Sequence, residues 1–220
     1  MKKVIGLLML LGLFSQQLFA AELKNMKLIL DKQGIKIWSY QLPESPYYGF
    51  KAVTTVKSSL TGMVALITDT ESADQWLYRT KEVVALSRED DDRNFTVRVV
   101  TSFPWPLKDR EAVVAGQITQ DPNNMLVKID SHSVANHPVR DGYERMPKVH
   151  GGWEFRALGN GKVEVTMTGH AELDLYVPAI IRNILLQEHP YHSLLALQKI
   201  IGEPRFQAAR LSSVNEPVFN

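Results

Sequence analysis

The sequence predicts an α+β domain in which a curved antiparallel sheet wraps around one long C-terminal helix. Three observations carry this. Five strand-like runs with alternating polarity follow one another between Phe95 and Leu173, separated only by short turn signals. The longest apolar helical pattern of the mature chain, Val177 to Ile201, comes directly after them. Strands joined by turns leave one face to be covered, and this helix is the one element large enough to cover it.

In chain order, MKK opens the sequence, the apolar run Val4 to Phe14 follows, and the small residues of LFAA close the segment. That is the order of a secretory signal. The run is shorter than the roughly 20 residues a bilayer span needs. We therefore expect residues 1–20 to be a cleaved signal peptide, residues 22–202 one domain, and residues 203–220 a flexible C-terminal tail, with the mature protein in the periplasm. The chain has no cysteine, so an exported domain must hold together by burial alone. Without Lys2 and Lys3, its 25 basic residues become 23 against 24 acidic ones. No long-range field remains to attract phosphate backbones, which argues against nucleic acid as a partner.

ELKNMKLILDKQGIKIWSYQLP reads as a short helix, ended by Gly34, that runs into a first strand. YGFKAVTTVKSS alternates as a strand. LTGMVALITDTESADQWL changes period, with Leu60, Val64, Ile67 and Trp76 on one helical face and a break near Asp69. The strands FTVRVVTS, EAVVAGQITQ, MLVKIDSHSV, VHGGWEFRAL and KVEVTMTGHAEL follow, punctuated by DDDRN, DPNN and LGNG. On the last strand Val163, Val165, Met167, Gly169 and Ala171 share one side, and Glu164, Thr166, Thr168, His170 and Glu172 the other. Pro178 suits the first turn of the final helix, and Pro190 breaks one of its hydrogen bonds midway.

The combination of FPWPLKDREAVV, VRDGYERMPKVHGGWEF and DLYVPAIIRNILLQEHPYHSLLAL resembles the START family, the steroidogenic-acute-regulatory-related lipid-transfer domains. The matching positions are Pro104, Trp105, Pro106, Arg110 and Glu111, then Arg145, Gly151 and Trp153, then Pro178 and Asn183. The resemblance spans Leu23 to Ile201. Two positions depart from it: Glu111 is longer than the usual acidic residue, and DLY replaces a Gly-containing turn before the last helix. The resemblance implies a helix-grip fold with an internal apolar cavity that binds a lipid or other hydrophobic molecule without chemistry and needs no cofactor. It also implies a lid formed by the C-terminal helix and a transient membrane contact.

On that basis the candidate ligand-binding residues are Trp105, Glu111, Tyr143, Arg145, Trp153, Met167, Tyr176, Ile180 and Ile184. Arg145 shares parity with Val149, Gly151 and Trp153 if no bulge forms at Pro147, which turns it toward the cavity. An unpaired buried charge is costly, so Arg145 then needs Glu111 or Asp109 as a partner, or an anionic head group. Trp105 has two readings, a cavity-mouth contact or a plug at one end of the core. The histidines of EHPYH are spaced i, i+3 around Pro190, which does not match the i, i+4 pattern of helical zinc sites. No nucleophile motif or Walker loop is present. The alternatives to a carrier are a helix-grip enzyme of the aromatase/cyclase or hydrolase type, and a scaffold with a filled core.

Overall fold

The structure, a computed structural model, describes residues 26–42, 47–172 and 179–219. Strands β1 (Lys27–Lys32), β2 (Ile35–Gln41) and β3 (Tyr48–Lys57) lead to helices α1 (Leu60–Thr68) and α2 (Ala73–Trp76). Then come β4 (Thr80–Glu89), β5 (Asn94–Thr101), β6 (Arg110–Gln120), β7 (Val127–Ser133), β8 (Glu144–Arg145), β9 (Lys148–Gly159) and β10 (Lys162–Glu172). The C-terminal helix is built from α3 (Ala179–Asn183), a π-helical turn (Ile184–Glu188) and α4 (His189–Ile200), and α5 (Pro204–Gln207) follows. Among the described residues no helix is long and apolar enough to cross a membrane.

The described strands form one sheet in the order β1-β2-β3-β10-β9-β7-β6-β5-β4, with the two-residue β8 running parallel to β6. Neighbours along the main path pair antiparallel. The sheet grips the C-terminal helix as expected. Leu194 and Leu197 of α4 are fully buried among Ile35 and Ile37 of β2, Phe155 of β9, Val163 and Val165 of β10, and Leu60 and Met63 of α1. Each such side chain contributes about 1.5–3 kcal/mol of burial. The parity of β10 holds, with Val163, Val165 and Met167 buried on the helix side.

Three expectations need correction. The first segment is a β1–β2 hairpin, not a helix entering a strand. Gln33 and Gly34 both have positive φ, 53° and 73°, as a two-residue hairpin turn requires. A register shift between Leu28 and Leu30 breaks the alternation of β1 and imitates helical spacing. Second, β4 has no counterpart in the sequence reading. It is a sheet edge with shifts between Thr80 and Glu82 and between Ala85 and Ser87, so no sustained period of two survives in its sequence. Third, residues 203–219 are tied to the domain instead of forming a loose tail. Phe206 and Val214 are buried, and the Glu216 carboxylate accepts the Leu60 and Thr61 N–H groups at 3.1 and 2.7 Å. An acidic side chain there satisfies free N–H groups of the first turn of α1 and complements its dipole. These anchors are single residues at irregular spacing, which leaves no periodic signal.

The helix interruption is also more specific than a proline kink. The His189 N–H bonds to the Ile184 carbonyl, five residues back, and the wide turn ends just before Pro190, which has no N–H to continue the α-helical ladder.

Candidate functional site

Between the sheet and the C-terminal helix lies a cavity of about 580 Å³, within the roughly 300–1,000 Å³ typical of small-molecule sites. One row of residues stands in register across the sheet, Phe95, Gly116, Ser131, Gly151, Gly169 and Phe50, from β5, β6, β7, β9, β10 and β3, and all but Gly116 line the cavity. The small residues in the middle leave bare backbone where side chains would otherwise fill the grip. A Cβ on Gly151 would meet only the Ser131 Oγ, at 3.2 Å, whereas one on Gly116 would meet the Phe95 ring at 2.2 Å. Val97, Val99, Ala112, Val114, Met146 and Val149 line one end, and Ile129, Trp153, Met167 and Trp76 the other. The rings of Trp76 and Trp153 meet edge to face at 5.9 Å. The roof contributes Arg182, Leu185, Leu186 and His189.

Of the residues expected at the site, Trp153 and Met167 line the cavity. Tyr176 lies outside the described residues. Ile184 is buried, but in a protein cluster with Phe103, Ala112, Val114, Met146 and Ile181, and Ile180 is exposed. Leu185 and Leu186 line the cavity instead. Trp105 neither plugs the core nor lines the cavity: it is 92% exposed. Phe103 is the plug of that loop, buried under the Arg110 guanidinium, which sits 5.5 Å from its ring centroid. Asp109 fixes the loop by accepting the Phe103 N–H at 3.2 Å and pairing with Lys81.

Glu111 and Arg145 are partners, as the charge argument requires, at 2.9 Å. They are not at the cavity. Ala112 and Val114 of β6 line it, so the intervening positions face the other side of the sheet. There Glu111 is fully buried beneath the segment before β9 and is approached by Arg98 at 3.6 Å and Arg140 at 3.3 Å as well as Arg145. Arg140 also pairs with Glu82 at 2.8 Å and lies 4.9 Å from the ring centroid of Tyr143, which places Tyr143 in this cluster too. The parity count fails because β8 ends at Arg145 and β9 starts anew at Lys148; across Met146 and Pro147 the alternation does not carry.

His189, considered above only as a metal ligand, belongs to the cavity. It sits in the cavity wall with no hydrogen-bond partner for its ring among the described residues, and burial pushes its pKa down to about 4. The imidazole is therefore neutral at physiological pH. An unfolded histidine takes up its proton near pH 6.5. Below that pH the unfolded chain binds the proton and the folded one does not, so stability falls as the pH drops from about 6.5 to about 4 and then levels off. A shift of this size corresponds to a loss on the order of 3 kcal/mol. Urea unfolding at pH 7 and pH 4.5 should show it, and His189→Leu should flatten the slope. An unchanged slope in the variant would assign the acid sensitivity to other groups.

Among the described residues no group of three or more metal-ligating side chains is present. No protein-family model matches the chain. A Pseudomonas aeruginosa protein described as uncharacterised is 23% identical over 175 residues, covering 80% of this chain and 86% of that protein. Among solved structures, a STAR-related lipid transfer protein from Xanthomonas axonopodis has a TM-score of 0.73 at 22% identity, covering 81% of this chain and 99% of that one. The human StAR-related lipid transfer protein 5 has a TM-score of 0.71 at 14% identity, covering 90% and 97%. The chain thus has the helix-grip fold of the START lipid-transfer domains.

Proposed function

We propose that this protein binds and carries a lipid or other hydrophobic molecule in the periplasm, without transforming it. The observation that carries the reading is the apolar cavity of about 580 Å³ between sheet and C-terminal helix, in a fold shared with lipid-transfer domains. Each methylene withdrawn from water is worth about 0.8 kcal/mol, so a long acyl chain leaves a bilayer slowly unless an equivalent apolar environment receives it. Release then requires the roof to move, and the interrupted C-terminal helix is the element to do so. Export is supported by the signal-like order of residues 1–20. The cavity wall has no cysteine, and its serine and histidines are not arranged as a bonded nucleophile–base pair, which favours carriage over catalysis.

The exposed Trp105, on a loop anchored by Phe103 and Asp109, is the proposed membrane contact. Indole suits the headgroup region, with an apolar body and a polar N–H.

Native mass spectrometry of protein recovered from a periplasmic fraction tests location and cargo together. The expected result is a chain starting near Ala21 or Glu22 with one lipid-sized molecule bound. An empty protein that also fails to take up lipid from vesicles would refute the carrier reading. Trp105→Ala should slow lipid transfer between vesicles several-fold, while leaving equilibrium loading and the melting temperature unchanged.

A further inference from the structure

The roof presents Arg182, Leu185, Leu186 and His189 to the cavity, a polar–apolar–apolar–polar stripe on one helical face. Among the described residues, the ionisable side chains of the lining, tyrosines aside, are two arginines and three histidines, with no carboxylate. Most are committed elsewhere. Arg88 pairs with Asp92 at 3.6 Å and donates to the Thr68 carbonyl at 2.7 Å. His150 lies 2.7 Å from Asp130, and the His170 ring packs on that of His150 at 5.3 Å. Arg182 is exposed at the rim and has no ion pair or hydrogen bond among the described residues. The other end of the stripe is polar but uncharged. Trp76 Nε1 and Thr80 Oγ1, both on lining residues, are buried without partners. Their segment is tied to the C-terminal helix by the Tyr78 N–H donating to Ser193 Oγ at 3.0 Å, one turn beyond His189.

We infer that the cavity's occupant is an anionic amphiphile with a second, uncharged hydrogen-bonding group along its apolar body, the charge held by Arg182 and the second group by His189. This rests on reading the cavity as a lipid site. A plain alkyl chain would leave the imidazole unsatisfied in an apolar wall, whereas a hydroxyl or carbonyl satisfies it. A cationic head would face a guanidinium with no carboxylate among the described lining residues to offset it. The two residues are seven apart, at opposite ends of the stripe, and the ligand's two polar groups are spaced accordingly.

The test uses the mature chain and displacement of cis-parinaric acid, read through energy transfer from Trp76 and Trp153 in the cavity wall. The competitors share one chain length: 10-hydroxystearate, stearate, stearyl alcohol and stearylamine. The expected order is 10-hydroxystearate, then stearate, then the alcohol, with the amine last. Arg182→Gln should bring stearate down to the level of the alcohol, tenfold or more for a lost charge-assisted contact, and leave the alcohol unmoved. His189→Leu should make 10-hydroxystearate and stearate equal. Stearyl alcohol competing as well as stearate, or Arg182→Gln weakening both alike, would overturn the inference while lipid binding stands. His189→Leu weakening both acids alike would overturn the second contact. If neither the probe nor any competitor binds, the carrier reading itself fails.

Discussion

Glu111→Gln should destabilise the protein by about 3–5 kcal/mol, the cost of breaking a buried ion pair by removing one partner. For a chain of this length that corresponds to a fall in melting temperature on the order of 10 °C. Glu111 is fully buried, and Arg98, Arg140 and Arg145 all approach it. Arg98 Nε and Arg145 Nη1 are already buried without a hydrogen-bond partner. Neutralising the one fully buried carboxylate among these arginines leaves Glu82, which reaches only Arg140, as the remaining counter-charge. The same logic applies to Arg145→Met, which should lower stability through the cluster and leave lipid binding by the folded protein intact. Thermal denaturation paired with a lipid-binding assay on each variant checks this. A preserved melting temperature with lost binding would return the cluster to the ligand site.

Gly151→Leu should do the reverse. Binding should drop by at least an order of magnitude while the melting temperature stays within a few degrees. The new Cβ displaces nothing but the Ser131 Oγ, by a few tenths of an ångström, and the rest of the side chain enters open cavity. Filling open space costs little, whereas overpacking a filled core costs about 1–3 kcal/mol. A strand glycine replaced by leucine also recovers some conformational entropy. Gly116→Leu is the contrasting control: its Cβ would lie 2.2 Å from the Phe95 ring, so it should destabilise outright. If Gly151→Leu unfolds the protein and binding was never measurable in the parent, the space over the glycine row is not a ligand site.

How far the sequence could be read depended on whether a residue's surroundings are set by its own strand. β10 and β9 could be oriented because their apolar positions keep a period of two, and that put Trp153 and Met167 on the cavity side. The same alternation misled for Glu111 and Arg145. It separates two faces, but it cannot show that the outer face of β6 is also buried, under a segment around Arg140 some thirty positions away. Ile180 and Ile184 belong to other faces of the helix, one exposed and the other packed against Phe103 and Ile181, which apolar character alone does not reveal. His189 was weighed only as a metal ligand in EHPYH. The stripe Arg182, Leu185, Leu186, His189 was the signal that could have found it, since i, i+3, i+4, i+7 marks one face. The glycine row was not legible at all, because no strand on its own reveals which residues stand in register with it across five neighbours.

The bond from Glu216 to the start of α1 also bears on how the chain reaches its native state. Helix α1 is made early in synthesis, yet the carboxylate that caps it is 156 residues downstream of Leu60. β3 likewise pairs with β10, more than a hundred positions later. A chain emerging from the ribosome therefore has neither the cap nor the central strand pairing until nearly all of it has been made. Contacts of such long sequence separation form late and slowly. The β1–β2–β3 meander and the strands from β4 to β10 are built mainly from pairings between chain neighbours, and the β3–β10 pairing and the Glu216 cap join the two only once nearly the whole chain has been made.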